Sequence, residues 1–234
     1  MIGLSMTTVL PLFQELLHRR AAPPAREWLE RALGTPDAGF DRGAFLESFT
    51  VTGRRLGRVS LAIGSDESQQ LEAAGIDWPV SGWSLDDLGR VILLLQAAGR
   101  LAELQLTALI EDCYSQGDNR ERQAVLRALP LLPMPERYVA IAVEACRSSI
   151  QPLFEAIACE NPYPATHFPE LNFNQMVLKA LFIGVAVERI IGLDARVTPE
   201  LVRMAEDYAS ERKAAGRSVP SDIWRLVGEK GTAS

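Results

Sequence analysis

The sequence predicts an all-α fold: an irregular α-α superhelix of antiparallel helix pairs, similar to a HEAT stack. Almost every segment repeats its apolar residues with the helical period, and Pro or Gly beside a capping residue separates one segment from the next. The connections are short, which pairs neighbouring helices antiparallel. We expect about ten helices in a single domain over residues 1–234, with no important sheet. A four-helix bundle with decorations is the alternative, because no fixed repeat recurs.

Capping residues mark where the helices of the first half begin. Pro23 and Pro24 stand at the start of one helix, and Asp41 can cap another. Ser84 precedes two acidic residues, which the helix dipole favours in a first turn. The segment 64–79 is either a short helix or a long loop. The predicted helices are 5–20, 23–33, 41–60 with a continuation or a bend after Gly53 and Gly57, 85–98, 101–115 and 119–129.

In the second half, prolines and glycines set the helix boundaries. Pro135 fits a first helical position, and the Asn-Pro-Tyr-Pro motif at 161–164 should stop the helix before it. Thr198 with the following proline is a good N-cap and first position, and Gly216 is a good stop. The predicted helices are 136–147, 150–159, 171–182 and 198–215, followed by a short turn at 221–226 and a loose tail at 228–234.

Composition indicates a globular protein of the cytosol. The net charge of −6 disfavours nucleic-acid binding, which usually needs a basic surface. Cys113, Cys146 and Cys159 form no CxxC motif, which favours buried thiols in a reducing compartment. The N-terminus lacks the basic start and cleavage pattern of a secretory signal. The longest apolar run, 91–95, is far shorter than the roughly 20 residues that span a bilayer, so no transmembrane segment is expected.

Motifs of the common enzyme classes do not occur in the sequence. It has two histidines, His18 and His167, and neither belongs to an HExxH motif or accompanies paired CxxC motifs. It has no GxSxG nucleophile motif and no Walker A or GxGxxG phosphate loop. We therefore predict no catalytic residues, no metal ligands and no cofactor.

The candidate binding surface is built by residues 160–182 and 203–217. Amides, aromatics and prolines concentrate in the first of these ranges, in place of the interchangeable residues of ordinary helices. Its amides either satisfy loop carbonyls and cap a helix or face a ligand. The prolines stiffen the segment, which suits a fixed support or a preorganised site. The predicted binding residues are Asn161, Tyr163, His167, Glu170, Asn174, Gln175, Lys179, Arg212 and Arg217.

Three segments carry a resemblance to a known family. They are GDNRERQAVLRALPLLP at 117–133, FEAIACENPYPATHFPELNFNQMVLKALF at 154–182 and GLDARVTPELVRMAEDYASERKAAGR at 192–217. With them the chain resembles the EboA family of metabolite traffic proteins, over a family-like part at 117–224. The resemblance implies an accessory protein encoded beside a membrane prenyltransferase-like protein and several TIM-barrel-type enzymes. It also implies traffic of a small-molecule precursor from cytoplasm towards periplasm, with those proteins or a metabolite as partners. The protein would then be cytoplasmic, or held at the inner face of the membrane by its partners.

Three hypotheses remain open from the sequence. The preferred one is a non-enzymatic binding or adaptor protein that uses the polar surface. The second is a cryptic enzyme with His167, Glu160 or Glu170 as acid and base and with Lys179 or Arg217 stabilising an anion. The third is a structural assembly subunit.

Each hypothesis predicts a different environment for the amides. A ligand site predicts a pocket with unsatisfied amides and a cation, whereas a partner surface predicts an exposed apolar patch. The structural role predicts that Asn161, Asn174 and Gln175 are buried and bonded to backbone.

Overall fold

The computed structural model describes residues 6–35 and 39–228, and the fold is all-α as predicted. Within those ranges it has fourteen α-helices and no strand, with one isolated β-bridge between Ser60 and Ser84. The chain divides into two compact units, 1–157 and 158–234. The single domain and the HEAT-like superhelix stay predictions.

Unit 1 contains nine helices in its described part, and most of them begin where the capping residues predict. Asp41 caps α3 by accepting a hydrogen bond from Ala44 N at 3.0 Å, and Asp118 caps α7. The helices are α1 Met6–Arg20, α2 Pro23–Leu33, α3 Arg42–Leu56, α4 Ser65–Ala73, α5 Leu85–Ala98, α6 Glu103–Gln116, α7 Asn119–Ala128, α8 Val139–Arg147 and α9 Gln151–Ala158, the last reaching the unit boundary. Two 3₁₀ turns, Leu129–Leu131 and Pro135–Tyr138, lie between α7 and α8.

Three details of unit 1 differ from the sequence prediction or complete it. The uncertain segment 64–79 forms a short helix, α4, followed by a loop. Helix α3 ends at Leu56, before the predicted limit, because Gly57 takes a left-handed φ of 75°. The predicted helix 136–147 begins instead with a 3₁₀ turn, and its α-helical part starts at Val139.

Helix α5 is the centre of unit 1. Almost all of its side chains are buried, and it packs against α1, α3 and α7. Gly89 permits the close approach of α3, since a Cβ at this position would overlap with the Leu56 side chain. Burial on all sides explains the long apolar run of the sequence. It also means that the polar residues of α5 lie in the interior.

Unit 2 holds the segments in which rare residues cluster. Its helices are α10 Tyr163–His167, α11 Glu170–Ile183, α12 Leu193–Arg196, α13 Pro199–Ala214 and α14 Trp224–Val227. Helix α11 packs against α13, which Thr198 caps as predicted. The sequence did not predict α10 and α12. Each is five residues or shorter, too short for a helical period to be visible.

Burial and helix length bear on the remaining predictions. All three cysteines are buried, and burial raises the pKa of the Cys113 thiol to about 12. In the part of the chain that the structure describes, no helix is long and apolar enough to span a bilayer. The predicted start of the first helix at Ser5 and the predicted tail after Gly228 lie outside the described residues.

Candidate functional site

The Asn-Pro-Tyr-Pro motif builds the start of α10. Asn161 is buried, and its side-chain Oδ1 accepts a hydrogen bond from Tyr163 N at 3.0 Å, as in an Asx turn. The Tyr163 ring is fully buried, 4.8 Å from the His167 ring and edge-on to Phe168 at 6.3 Å between centroids. These residues therefore support the fold of unit 2 through local bonding and aromatic packing.

Two arginines hold the segment around α10 in place. Arg189 forms a bidentate ion pair with Glu160, with donor–acceptor distances of 2.7 and 2.9 Å. Arg196 donates to the carbonyl oxygens of Ala165 and Phe168. The Glu160 carboxylate, one of the acids considered for a cryptic enzyme, is thus already engaged by a guanidinium.

The four candidate residues of α11 lie in different environments. Glu170 is exposed and accepts from Thr198 Oγ1 at 2.9 Å, Gln175 is exposed, and Lys179 is half-buried. Asn174 is only 1 % exposed, and its Oδ1 has no hydrogen-bond partner among the described residues. Gln175 is therefore not buried as the structural role predicted, while Asn174 is buried, with an Oδ1 that has no partner among the described residues.

Arg212 and Arg217 differ in what they contact at the end of α13. The Arg212 guanidinium donates to Ser218 O at 2.6 Å and to the Tyr208 hydroxyl at 3.2 Å, and it lies 5.7 Å from the Tyr208 ring centre. Arg217 is exposed, and its backbone N–H donates to Arg212 O at 2.9 Å. Arg212 thus positions Tyr208.

Tyr208 is part of a groove between α11 and α13 that the sequence did not reveal. The groove has a volume of about 710 Å³ and a mostly apolar lining. On α11, Leu171, Leu178 and Phe182 share one face, because they follow each other at helical spacing. Leu171 and Phe182 are 62 % and 68 % exposed, which is high for large apolar side chains. The residues that line the groove are Leu178, Met204, Asp207, Tyr208, Ser210, Glu211 and Ala214.

A second site, in unit 1, was missed altogether. It begins at the N-terminus of α5, where Ser84 N donates to Asp87 Oδ2 at 2.9 Å. The Ser84 hydroxyl lies 2.5 Å from Asp86 Oδ1 and 2.6 Å from Asp87 Oδ2. Arg90, which is 3 % exposed, donates to Asp86 Oδ2 at 2.9 Å and to Phe49 O at 3.1 Å. The predicted helix cap is therefore also one side of a buried ionic network.

Helix α7 contributes two more arginines to this network. Arg120 Nη2 donates to Ser84 Oγ at 2.6 Å and lies 3.2 and 3.4 Å from the carboxylates of Asp86 and Asp87, while Arg127 pairs with Asp87. Burial opposes ionisation of Asp86, but the Ser84 hydrogen bond and the charges of Arg120 and Arg90 together hold its pKa below the usual range. Burial lowers the pKa of Arg127, partly offset by Asp87.

The network borders a cavity of about 320 Å³. Backbone hydrogen bonds from Leu61 N to Trp83 O and from Leu85 N to Val59 O hold the segment 58–61 beside the start of α5. The cavity is lined by Arg58, Ser60, Ser81, Gly82, Trp83, Ser84, Asp87 and Arg120. One signal in the sequence could have indicated this site: Arg90 lies beside the apolar run 91–95, four residues after Asp86. A charged residue in a buried helix needs a partner of opposite charge, and Asp86 is one helical turn away.

Comparison with known proteins decides the family. A family model described as "Metabolite traffic protein EboA" matches residues 9–228. The chain belongs to the EboA family. The match extends the resemblance from the second half to nearly the whole chain and indicates a role in metabolite traffic. No curated protein and no solved structure matches.

Both sites lie inside the part of the chain that matches EboA. The helices α5 and α7, which carry the ionic network, and the helices α11 and α13, which form the groove, are all contained in residues 9–228. EboA membership therefore gives no reason to prefer one site over the other. Geometry and charge must assign their roles.

Proposed function

We propose that this EboA protein is a non-enzymatic accessory protein that binds a small-molecule metabolite precursor during its traffic from cytoplasm to periplasm. The observation that carries the proposal is the open groove between α11 and α13. Its volume of about 710 Å³ falls in the usual range for small-molecule sites, about 300–1,000 Å³.

The lining of the groove indicates the chemistry of the ligand. Leu178, Met204 and Ala214 supply apolar surface, and Tyr208 adds an aromatic ring that Arg212 holds in place. Asp207 and Glu211 add carboxylates. A largely apolar or aromatic molecule with a hydrogen-bond donor would match this combination. Met204 can adapt to its shape, since a methionine side chain is flexible.

Partners and location form part of the same proposal. We propose that the protein works in the cytoplasm with proteins encoded beside it, a membrane prenyltransferase-like protein and TIM-barrel-type enzymes. The resemblance to the EboA family supports this. Leu171 and Phe182 are exposed on the same α11 face as Leu178. Together with the bound ligand, they would form an apolar surface for a partner protein.

The test uses a matched pair of variants at the end of α13. Ala214 is exposed and lines the groove, whereas Ala215 is exposed and does not line it. Ala214→Phe should fill the groove, while Ala215→Phe adds the same ring outside it. We would recover the intact protein and both variants from an extract of its own cells and identify the bound molecules and proteins by mass spectrometry.

We expect one small molecule with the natural protein and with Ala215→Phe, and its loss with Ala214→Phe. A protein partner lost with Ala214→Phe, without any small molecule, would reassign the groove to partner binding. Conversion of the recovered molecule on incubation with the pure protein would contradict the non-enzymatic role. Equal recovery with both variants would reject the groove as the site.

A further inference from the structure

We propose that the cavity at the N-terminus of α5 binds a phosphate group through Arg58 and Arg120. This site lies in unit 1 and does not rest on the proposed function of the α11–α13 groove. Three observations point to this ligand: the charge balance, the unsatisfied buried atoms and the size of the cavity.

The charge balance favours an anion. Asp86 and Asp87 face three buried or partly buried arginines, Arg90, Arg120 and Arg127. Arg58 lines the same cavity, and its guanidinium forms no hydrogen bond or ion pair with any described residue. Four guanidinium groups against two carboxylates leave an excess of two positive charges. A phosphate dianion would neutralise it.

Buried polar atoms without partners show that the site is incomplete. Asp87, which lines the cavity, is 1 % exposed, and its Oδ1 has no hydrogen-bond partner among the described residues. Arg120 Nε is likewise buried without a partner in those ranges. An unpaired buried polar atom destabilises the fold, so a ligand that bonds both atoms would relieve that cost.

Asp87 Oδ1 and Arg120 Nε require different partners, and this restricts the chemical class of the ligand. Arg120 Nε needs an acceptor, and the Asp87 carboxylate needs a donor. Hydrogen phosphate supplies both, because it has acceptor oxygens and one O–H. Sulfate at neutral pH has acceptors alone, so its oxygens would repel Asp87. We therefore infer that the site prefers phosphate to sulfate.

The position of the cavity adds to the preference for an anion. It lies at the N-terminus of α5, a helix of fourteen residues, where the dipole favours negative charge. Ser60, Ser81 and Ser84 line it. Its volume of about 320 Å³ is at the small end of ligand sites and admits a phosphate with a short substituent.

The direct test is calorimetric titration of the intact protein with inorganic phosphate and, separately, with sulfate at equal ionic strength. Arg58→Gln removes an exposed charge outside the buried network, so the variant should fold. Arg55→Gln is the matched control, since Arg55 is an exposed arginine of α3 that does not line the cavity. Titration with glycerol 3-phosphate distinguishes the phosphate of a metabolite from free phosphate.

We expect phosphate to bind the natural protein and Arg55→Gln equally, and Arg58→Gln about tenfold to a hundredfold more weakly, as for loss of one charge-assisted hydrogen bond. Sulfate should bind at least tenfold more weakly than phosphate. Tighter binding of glycerol 3-phosphate would assign the site to a phosphorylated metabolite, and tighter binding of inorganic phosphate to the free ion. Absence of binding, equal binding of sulfate, or an equal affinity of both variants would overturn the proposal.

Discussion

The region around α10 in unit 2 and the N-terminus of α5 in unit 1 differ in how far their polar groups are satisfied. Around α10, Asn161 bonds the backbone, Glu160 is held by Arg189, and Arg196 caps two carbonyls. At α5, polar atoms of Asp87 and Arg120 remain without partners in the described residues. The polar groups named around α10 therefore have partners, whereas two buried polar atoms at the start of α5 have none among the described residues.

This difference shows that a segment rich in rare residue types need not contain polar groups that are free to bind a ligand. Asparagine is disfavoured in helices because its side chain competes for backbone hydrogen bonds, and proline because it lacks the backbone N–H. The fold uses both where the chain must turn. Carboxylates and arginines are common on helix surfaces, so their presence in a sequence does not indicate a site. The structure shows which of them are buried. In the described part of unit 2, Asn174 is an exception, since it is buried and its Oδ1 has no partner there.

Removing a charge from the ionic network at the start of α5 should have the largest effect on stability. Asp86→Asn would leave the buried Arg90 without its carboxylate, and we expect a loss of about 3–5 kcal/mol in the free energy of unfolding. Asp194→Asn is the matched control, because Asp194 is 75 % exposed in its pair with Arg225 and should contribute at most about 1 kcal/mol. Urea denaturation at pH 7 measures both.

Equal losses in these two variants would contradict the comparison between the units. A loss below about 1 kcal/mol for Asp86→Asn would mean that the network is readily hydrated when a charge is removed. The site would then be an open surface cluster.

Acid should weaken unit 1 through a second carboxylate, Glu67. The hydrogen bond from Arg20 is the main cause that lowers the pKa of Glu67 from its usual 4.5 to about 2. A depressed pKa adds stability that is complete above pH 4.5 and is lost as the pH falls towards 2. We expect a loss of about 2 kcal/mol over this interval, less than the pKa difference alone gives, because solvent screens a pair near the surface. In unit 2, Arg203 lowers the pKa of Glu200, but this carboxylate is half exposed, so solvent screens the pair.

Tryptophan fluorescence can follow unit 1 alone in this experiment. Three of the four tryptophans, Trp28, Trp78 and Trp83, lie in unit 1, so Trp224→Phe removes the signal of unit 2. Thermal melts at pH 7, 4, 3 and 2 should show a falling midpoint, and Glu67→Gln should lower the midpoint at pH 7 and flatten its dependence on pH. An unchanged dependence in Glu67→Gln would assign the acid effect to other carboxylates.

The sequence predicted most of the fold because helix boundaries are local. Asp41, Asp118 and Thr198 cap helices as their residue types indicate. Helices α10 and α12 escaped prediction because fewer than two turns leave no measurable period.

Neither site could be predicted with the same success, since each depends on contacts between distant segments. Ser84, Asp86 and Arg120 meet only when α7 packs on α5, and 34 residues separate Arg120 from Asp86. The α11–α13 groove likewise requires two helices to be placed side by side. Local patterns specify which residues are polar, whereas tertiary packing decides which of them remain unsatisfied.

The smallest expected effect on stability is the difference between replacing a buried amide, Asn161, and an exposed amide, Gln175. Asn161→Ala removes the acceptor of the Tyr163 N–H bond and should cost about 1–2 kcal/mol, as for loss of a capping side chain. Gln175→Ala changes an exposed residue of α11 and should stay within about 0.5 kcal/mol. Urea denaturation under one set of conditions compares them. If Asn161→Ala were as neutral as Gln175→Ala, the amide would not be needed for the turn, and the motif at 161–164 would again be a candidate for ligand binding.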